Sequence, residues 1–342
     1  MHTVMQLQCD GVVAETYQGD PPPCIWTACE NLYHSSFCSE HHLKSYSSIN
    51  QHTHTWVSRQ DGVIDAVILF QIKRHTVLVL NEVVVFSHAD IVNFSTFIFE
   101  KYTPIKIIQF KAIFQHREKL FIPHLAFAFS EDFILTLPCS SEVWMQCLSK
   151  KMRSTLRYSL SRAQRRLSQL QFHTVLTSDI HPKLIQQILA MSRIKMQNKG
   201  KKFCMSEREE RCLISLMKKC GAIYLLVNDG EIIAGLLCTV CQQDLFFHVI
   251  SHDADFDDIR AGLLCCYHTI LLAIDNKCER IHFLWGRYQY KLQLGAKEKK
   301  LIKLAIFRNH SDKFIYPSFY LQKFLHHLKI FIQYSRQKFI HN

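Results

Sequence analysis

The sequence has no run approaching the roughly 20 apolar residues that a membrane-spanning helix requires, because Lys, Arg, His, Asp or Gln interrupts every hydrophobic stretch. That pattern excludes an ordinary spanning segment and leaves a soluble or at most peripheral protein. The first residues, Met1-His2-Thr3-Val4-Met5-Gln6, lack both a basic n-region and an apolar h-region, so no secretory leader is expected. Without one, the fourteen cysteines read as reduced cytoplasmic thiols and not as a disulfide framework. Acidic side chains are the scarcer sign, 29 against 41 Lys and Arg, giving a formal charge of +12. Such a surplus points to an anionic partner, whether nucleic acid, a phosphorylated cofactor or a lipid surface, and does not choose among them.

Hydrophobic residues make up 48% of the chain and charged ones 20%, which excludes a disordered tail and provides for real cores. A length of 342 residues suits two compact units of roughly 140 to 170 residues each. The first half reads as strands over 64–72 and 75–86, a helix around 89–101 and a strand at 105–110, after an N-terminal stretch with the turn-forming Gly19-Asp20-Pro21-Pro22-Pro23. A strand ends at Pro138, where the junction is placed, and Ser140 or Ser141 caps a long helix predicted to reach Leu170. Beyond it the pattern predicts a strand at 171–176, helices near 181–198 and 206–219, and strands at 222–228, 231–241 and 244–251. The middle pair of these strands turns at Asn228-Asp229-Gly230. A helix over 262–277, strands at 280–285 and 301–308, and a last helix over 317–339 complete a mixed α/β reading.

Three segments carry the chemistry. The predicted helix from 141 holds Lys150, Lys151, Arg153, Arg157, Arg162, Arg165 and Arg166, with no acidic residue between Glu142 and Asp179. Its apolar positions Trp144, Leu148, Met152, Leu156, Leu160, Ala163 and Leu167 form one stripe, leaving the cations as a solvated face or an anion-binding one. The second segment, Ser251 to Leu264, joins a strand to a helix through an acidic loop and Gly262, where free amides and the helix dipole favour a pyrophosphate. The third, Phe283 to Gly295, gathers two glycines, aromatics, Arg287 and Lys291 in a loop after a short strand, as binding loops do or as an aromatic packing loop does.

Taken in this order, the segments resemble the GNAT acetyltransferase domain of the CelD-like branch, associated with cellulose and exopolysaccharide loci and related to the Fem peptidyltransferases. The resemblance rests on a Trp-headed basic helix, the hairpin Leu225-Leu226-Val227-Asn228-Asp229-Gly230-Glu231-Ile232-Ile233-Ala234-Gly235, an acidic loop closing on Gly262-Leu263-Leu264, and Gly286, Tyr290 and Lys291 in a Gly-x-x-x-Tyr-Lys signature. The chain departs from the branch at Ala261, where a proline is usual, and at His282, Leu284, Arg287, Tyr288 and Gln289, where acidic residues are usual. The resemblance implies a GNAT fold of two GNAT-like halves in tandem: an N-terminal, acceptor-side half over 1–138, an acyltransferase domain over 139–310, and a basic amphipathic helix over 311–342. It implies transfer of an acyl group from acyl-CoA, as co-substrate, to an amine of a small molecule or of a sugar or amino-acid-type acceptor.

In that reading Arg260, Ala261, Gly262, Leu263 and Leu264 hold the pyrophosphate, and Arg157, Gly286 and Arg287 contact substrate. His248 or Asp253 accepts the ammonium proton, Tyr290 returns one to the thiolate, and Lys291 binds phosphate or stabilises the oxyanion. Two alternatives stand beside it: a Fem-like aminoacyltransferase whose basic helix holds tRNA, and a GNAT binding module without activity. No metal is expected. Cys238 and Cys241 sit in a strand on opposite faces, and Cys38, His41, His42, His52 and His54 match no common metal framework. The last helix is expected to pack against the domain, with a membrane surface as the other option.

Overall fold

In the computed structural model, residues 7–9, 12–114, 120–198, 200, 203, 205–315, 317 and 320–324 are described. The chain opens with β1 (Leu7–Cys9), β2 (Val12–Gln18), α1 (Pro23–Tyr33), α2 (Glu40–Ser45), β3 (Thr53–Gln60), β4 (Val63–Lys73), β5 (Thr76–Val79), α3 (His88–Lys101), β6 (Ile107–Phe114) and β7 (His124–Thr136). It continues through α4 (Ser141–Cys147), α5 (Lys150–Arg166), β8 (Gln171–Leu176), α6 (Pro182–Asn198), α7 (Glu207–Cys220), β9 (Gly221–Asn228), β10 (Glu231–Cys241) and β11 (Asp244–His252). The last described elements are α8 (Ala261–Asp275), β12 (Arg280–His282), α9 (Gln289–Gln293), β13 (Lys297–Phe307) and α10 (Asp312–Ile315).

Two compact units result, and neither is continuous in sequence. The first takes Met1–Ala28, Ile49–Ser130 and Lys300–Asn342; the second takes Cys29–Ser48 and Glu131–Lys299. A single division at residue 138 does not describe this interleaving. Strand pairing draws β13 into the first unit through Leu301↔Phe114 to Phe307↔Ile107. Residues 29–48 are held in the second by side chains such as Ser36, whose hydroxyl meets that of Thr239 at 2.8 Å.

The first unit is a sheet in the order β1-β2-β3-β4-β5-β6-β13, antiparallel except where β5 runs parallel to β6. The run Ala66-Val67-Ile68-Leu69-Phe70 of β4 is wholly buried. Phe94 of α3 fills the space above it, with ring centroids 5.6 Å from Trp56, 5.4 Å from Phe70 and 6.2 Å from Phe110. The strand expected over 75–86 ends at Val79. From there the Asn81 carboxamide accepts from the Leu69 N–H at 2.8 Å and donates to the Val67 carbonyl at 3.3 Å, replacing ladder bonds with side-chain ones.

The sheet of the second unit runs β7-β12-β11-β10-β9-β8. Trp144, Met152, Leu156, Leu264 and Ile270 of α4, α5 and α8 pack on one face. Ile185, Ile188, Leu189, Leu213 and Met217 of α6 and α7 pack on the other with Ile223 and Leu237. Asp229 (φ 51°) and Gly230 (φ 80°) both take the left-handed conformation that the expected hairpin turn requires. The helix expected from 141 to 170 is broken at Leu148. Its stripe of apolar residues is continuous, but Ser149 caps α5 by accepting from the Met152 N–H at 3.1 Å. Arg153 closes the end of α4 by donating to the carbonyls of Gln146 at 3.1 Å and Leu148 at 2.6 Å. The helix expected over 317–339 falls largely outside the described residues.

Candidate functional site

β11 and β12 pair in parallel for three residues, Asp244–Phe246 against Arg280–His282, and then part. β11 continues to His252, held along its other edge by β10 as far as Ala234↔His252, whereas β12 stops. A fork opens in the sheet, with the main chain of 247–252 along one side of it. Across β10, Leu237 pairs with Val249 and Cys238 with Phe247, so His248 is the extra residue of a β-bulge, a feature that re-aims a side chain.

His248 is half-buried, and its Nε2 lies 2.8 Å from the Thr239 hydroxyl, which in turn meets Ser36. Phe37 covers it, 5.9 Å between ring centroids, and also touches Phe246 and the exposed Trp285. Burial pulls the His248 pKa down to about 4, so the imidazole is neutral at neutral pH.

A charged cluster fixes the closed end of the fork. His282, the last paired residue of β12, donates from Nδ1 to the Asp132 carboxylate at 2.6 Å, while its Nε2 faces Asp244 at 3.6 Å. Arg280 also pairs with Asp244, at 2.7 Å. Burial alone pushes the His282 pKa down, but the two carboxylates outweigh it and hold the ring above its ordinary value. The acidic residues missing from the strand before Gly286 thus stand on its neighbours β7 and β11.

The same carboxylates hold the loop that follows. Leu284 (φ 55°) ends the strand expected over 280–285 by turning left-handed, and its N–H donates to Asp132 at 3.0 Å. The Gly286 N–H reaches Glu131 at 3.3 Å, and φ of +91° makes glycine the natural residue there.

Lys291 was expected to face a ligand and does not. It is 2% exposed, and its ammonium donates to the carbonyls of Phe283 (2.9 Å), Leu284 (2.9 Å) and Trp285 (2.8 Å). All three donors are used, so the cation ties the loop instead of binding phosphate or oxyanion. Burial lowers its pKa to about 8, against the pull of Asp132 and Glu131. Arg287 is exposed and pairs with Glu298 at 2.6 Å. Tyr290 is half-buried beside Phe283, and burial raises its pKa, so the phenol stays protonated.

At the other end of β11 the acidic loop forms a 3-10 turn, which Asp253 caps by accepting from the Asp255 N–H at 3.1 Å. Asp253 is exposed, and this bond makes it the cap of the turn. Arg260 takes a left-handed conformation (φ 56°) at the start of α8, its side chain exposed. The amides of Leu263 and Leu264 both donate to the Arg260 carbonyl, and Leu264 is buried with Ala261. Among the described residues no partner is found for the N–H groups of Ala261 and Gly262.

Gly262 lies under His252: a Cβ there would stand 2.7 Å from its Nδ1. Lys195 of α6 approaches the same nitrogen at 3.1 Å, and Asp257 approaches Nε2 at 2.5 Å. An ammonium only donates, so Nδ1 accepts and Nε2–H donates to Asp257. Arg162 and Arg166 of α5 pair with Asp258, neutralising part of the acidic loop. Arg157 lies elsewhere, in a cleft between α4, α5 and α8.

Fork, bulge, tied loop and helix start therefore converge on β11, while Arg157 lines a separate cleft. Asp132, Thr239, Lys195, His252 and the pairing role of His282 carried no local sequence signal. Among the described residues no group of three His, Cys, Asp or Glu side chains is placed to hold a metal ion, and no helix is long and apolar enough to cross a membrane.

Residues 150–292 match the acetyltransferase (GNAT) domain family. No curated protein matches the sequence. Among solved structures, FemX is similar at 10% identity and a TM-score of 0.58, over 78% of this chain and 89% of that one. The structure of L-PGS from Bacillus licheniformis is similar at 14% identity and a TM-score of 0.54, over 85% and 94%. A conserved protein of unknown function from Bacteroides thetaiotaomicron is similar at 13% identity and 0.51, over 85% and 93%. At such identities these likenesses speak to the fold. The chain has a mixed α/β GNAT fold, and residues 150–292 are the part of it that matches the acetyltransferase domain family.

Proposed function

We propose that this protein is an N-acyltransferase that moves an acyl group from acyl-CoA to an amine of a small molecule or of a sugar or amino-acid-type acceptor. The observation that carries the reading is the fork between β11 and β12 lying on the same strand that leads into α8, whose Ala261 and Gly262 amides have no partner among the described residues. A diphosphate fits that helix start, because free N–H groups and the helix dipole favour negative charge and Lys195 brings a cation beside Gly262. Order of segments favours the CelD-like branch; the acceptor is unassigned.

In the reaction the amine forms a C–N bond to the thioester carbonyl and the C–S bond breaks. The open edge of 247–252 supplies main-chain groups along which a thioester carbonyl can be polarised. His248 is neutral at pH 7, as a proton acceptor must be, and in this reading takes the proton that attack makes acidic on the ammonium. Tyr290, protonated at neutral pH, is the donor to the leaving thiolate. A thermal-shift series with CoA, acetyl-CoA and longer acyl-CoAs tests the donor. Stabilisation by acyl-CoA is expected, and silence to the whole series rejects the reading.

One observation favours a second reading, in which the donor is an aminoacyl-tRNA. Lys150, Lys151, Arg157 and Arg165 form no ion pair among the described residues, and no acidic residue shares α5 with them. That reading expects tRNA binding that weakens steeply with salt, and no response to acyl-CoA.

A further inference from the structure

A cleft of about 640 Å³ lies among α4, α5 and α8 of the second unit, a volume in the range of small-molecule sites. Its apolar wall is made by Met145, Tyr267 and Leu271, all half-buried. Two arginines one turn apart reach it. Arg153 is committed to the carbonyls of Gln146 and Leu148, but Arg157 has no hydrogen bond or ion pair among the described residues. Glu142, in the first turn of α4, lines the same cleft. Its own amide and the Ser140 hydroxyl hold its carboxyl below the ordinary value, so it is ionised at neutral pH. Glu142 and Arg157 form no ion pair with each other or with any other described residue.

Opposite, unneutralised charges flanking an apolar wall are complementary to a zwitterion with a hydrophobic body. We infer that this cleft binds a free α-amino acid with an apolar side chain, its carboxylate on the Arg157 guanidinium, its ammonium on Glu142 and its side chain against Met145, Tyr267 and Leu271. Arginine suits the first contact because its planar fork matches a carboxylate. The site is separate from the fork: Tyr267 and Leu271 follow Gly262 by five and nine residues, roughly 7 to 14 Å along the helix.

Calorimetric titration of the intact chain with L-leucine, 4-methylpentanoate (no ammonium) and L-leucinamide (no carboxylate) tests this. Leucine is expected to bind at one site, and loss of either ligand charge to weaken binding about tenfold, as for one charge-assisted hydrogen bond. Arg157→Gln is expected to weaken leucine by the same factor and leave leucinamide unchanged. Glu142→Gln is expected to weaken leucine and leave 4-methylpentanoate unchanged. Absence of leucine binding, or variants that lower all three ligands equally or none, overturns the inference. Both side chains are on the surface, and circular dichroism checks that each variant folds. An acetyl-CoA titration of the unaltered chain is read separately, so failure of either site is distinguishable from failure of the other.

Discussion

At the scale of single residues, the charges nearest the fork are devoted to holding it. Lys291 donates to three consecutive carbonyls, and its loss leaves them buried without a donor. Lys291→Met is therefore expected to destabilise the protein by about 2–4 kcal/mol, read from urea unfolding. A lysine acting on ligand would instead leave stability unchanged and lower only acyl-CoA affinity. His282 makes the fork sensitive to pH. Its folded-state pKa lies above the unfolded value near 6.5, so its contribution to stability is complete below about pH 6.5 and is lost as pH rises through the folded value. His248 works in the other direction, because its folded value of about 4 gives stability that is present above about pH 6.5 and lost as pH falls towards 4. Urea unfolding across pH should show His282→Gln losing the alkaline decline and keeping the acidic one. An unchanged alkaline limb would mean that Asp132 and Asp244 do not hold the imidazolium.

At the scale of elements, the closest tolerance is between β11 and α8. A Cβ on Gly262 would press on the His252 ring, which is fixed between Lys195 and Asp257. Gly262→Ala is expected to raise the acetyl-CoA Kd roughly tenfold, corresponding to about 1.4 kcal/mol, by displacing that ring at the helix start. Ser149→Ala should cost about 1 kcal/mol by removing the cap of α5, with acetyl-CoA affinity unchanged. Local signals made much of this scale readable from sequence. The turn at Asn228-Asp229-Gly230 marks its own hairpin, and the apolar periodicity of 182–198 marks α6. The break at Leu148 was hidden because the apolar stripe runs through it, and only Ser149 and Arg153 reveal it. His248 becomes a bulge through its register with β10, which no strand pattern contains. Asp132 and His282 are 150 residues apart, so no spacing rule joins them. Lys291 stood out in its motif, yet its burial, which decides its role, is a property of the folded chain.

At the scale of the whole molecule, the surplus of basic side chains is distributed unequally between internal and external use. Arg153, Arg162 and Arg166 of α5 are engaged within the second unit, whereas Lys150, Lys151, Arg157 and Arg165 lack ion pairs among the described residues. The two donor readings use this charge differently. An acyl-CoA enzyme needs an anion site at the start of α8, while an aminoacyl-tRNA enzyme needs the outer face of α5. The decisive measurement is the melting temperature of the intact chain with and without acetyl-CoA. Near a hundredfold excess over Kd, an occupied site should raise it by roughly 5 to 11 °C, with the rise reduced in Gly262→Ala. An unchanged melting temperature with CoA, acetyl-CoA and long-chain acyl-CoA alike would contradict the assignment of the fork and the α8 start as an acyl-donor site.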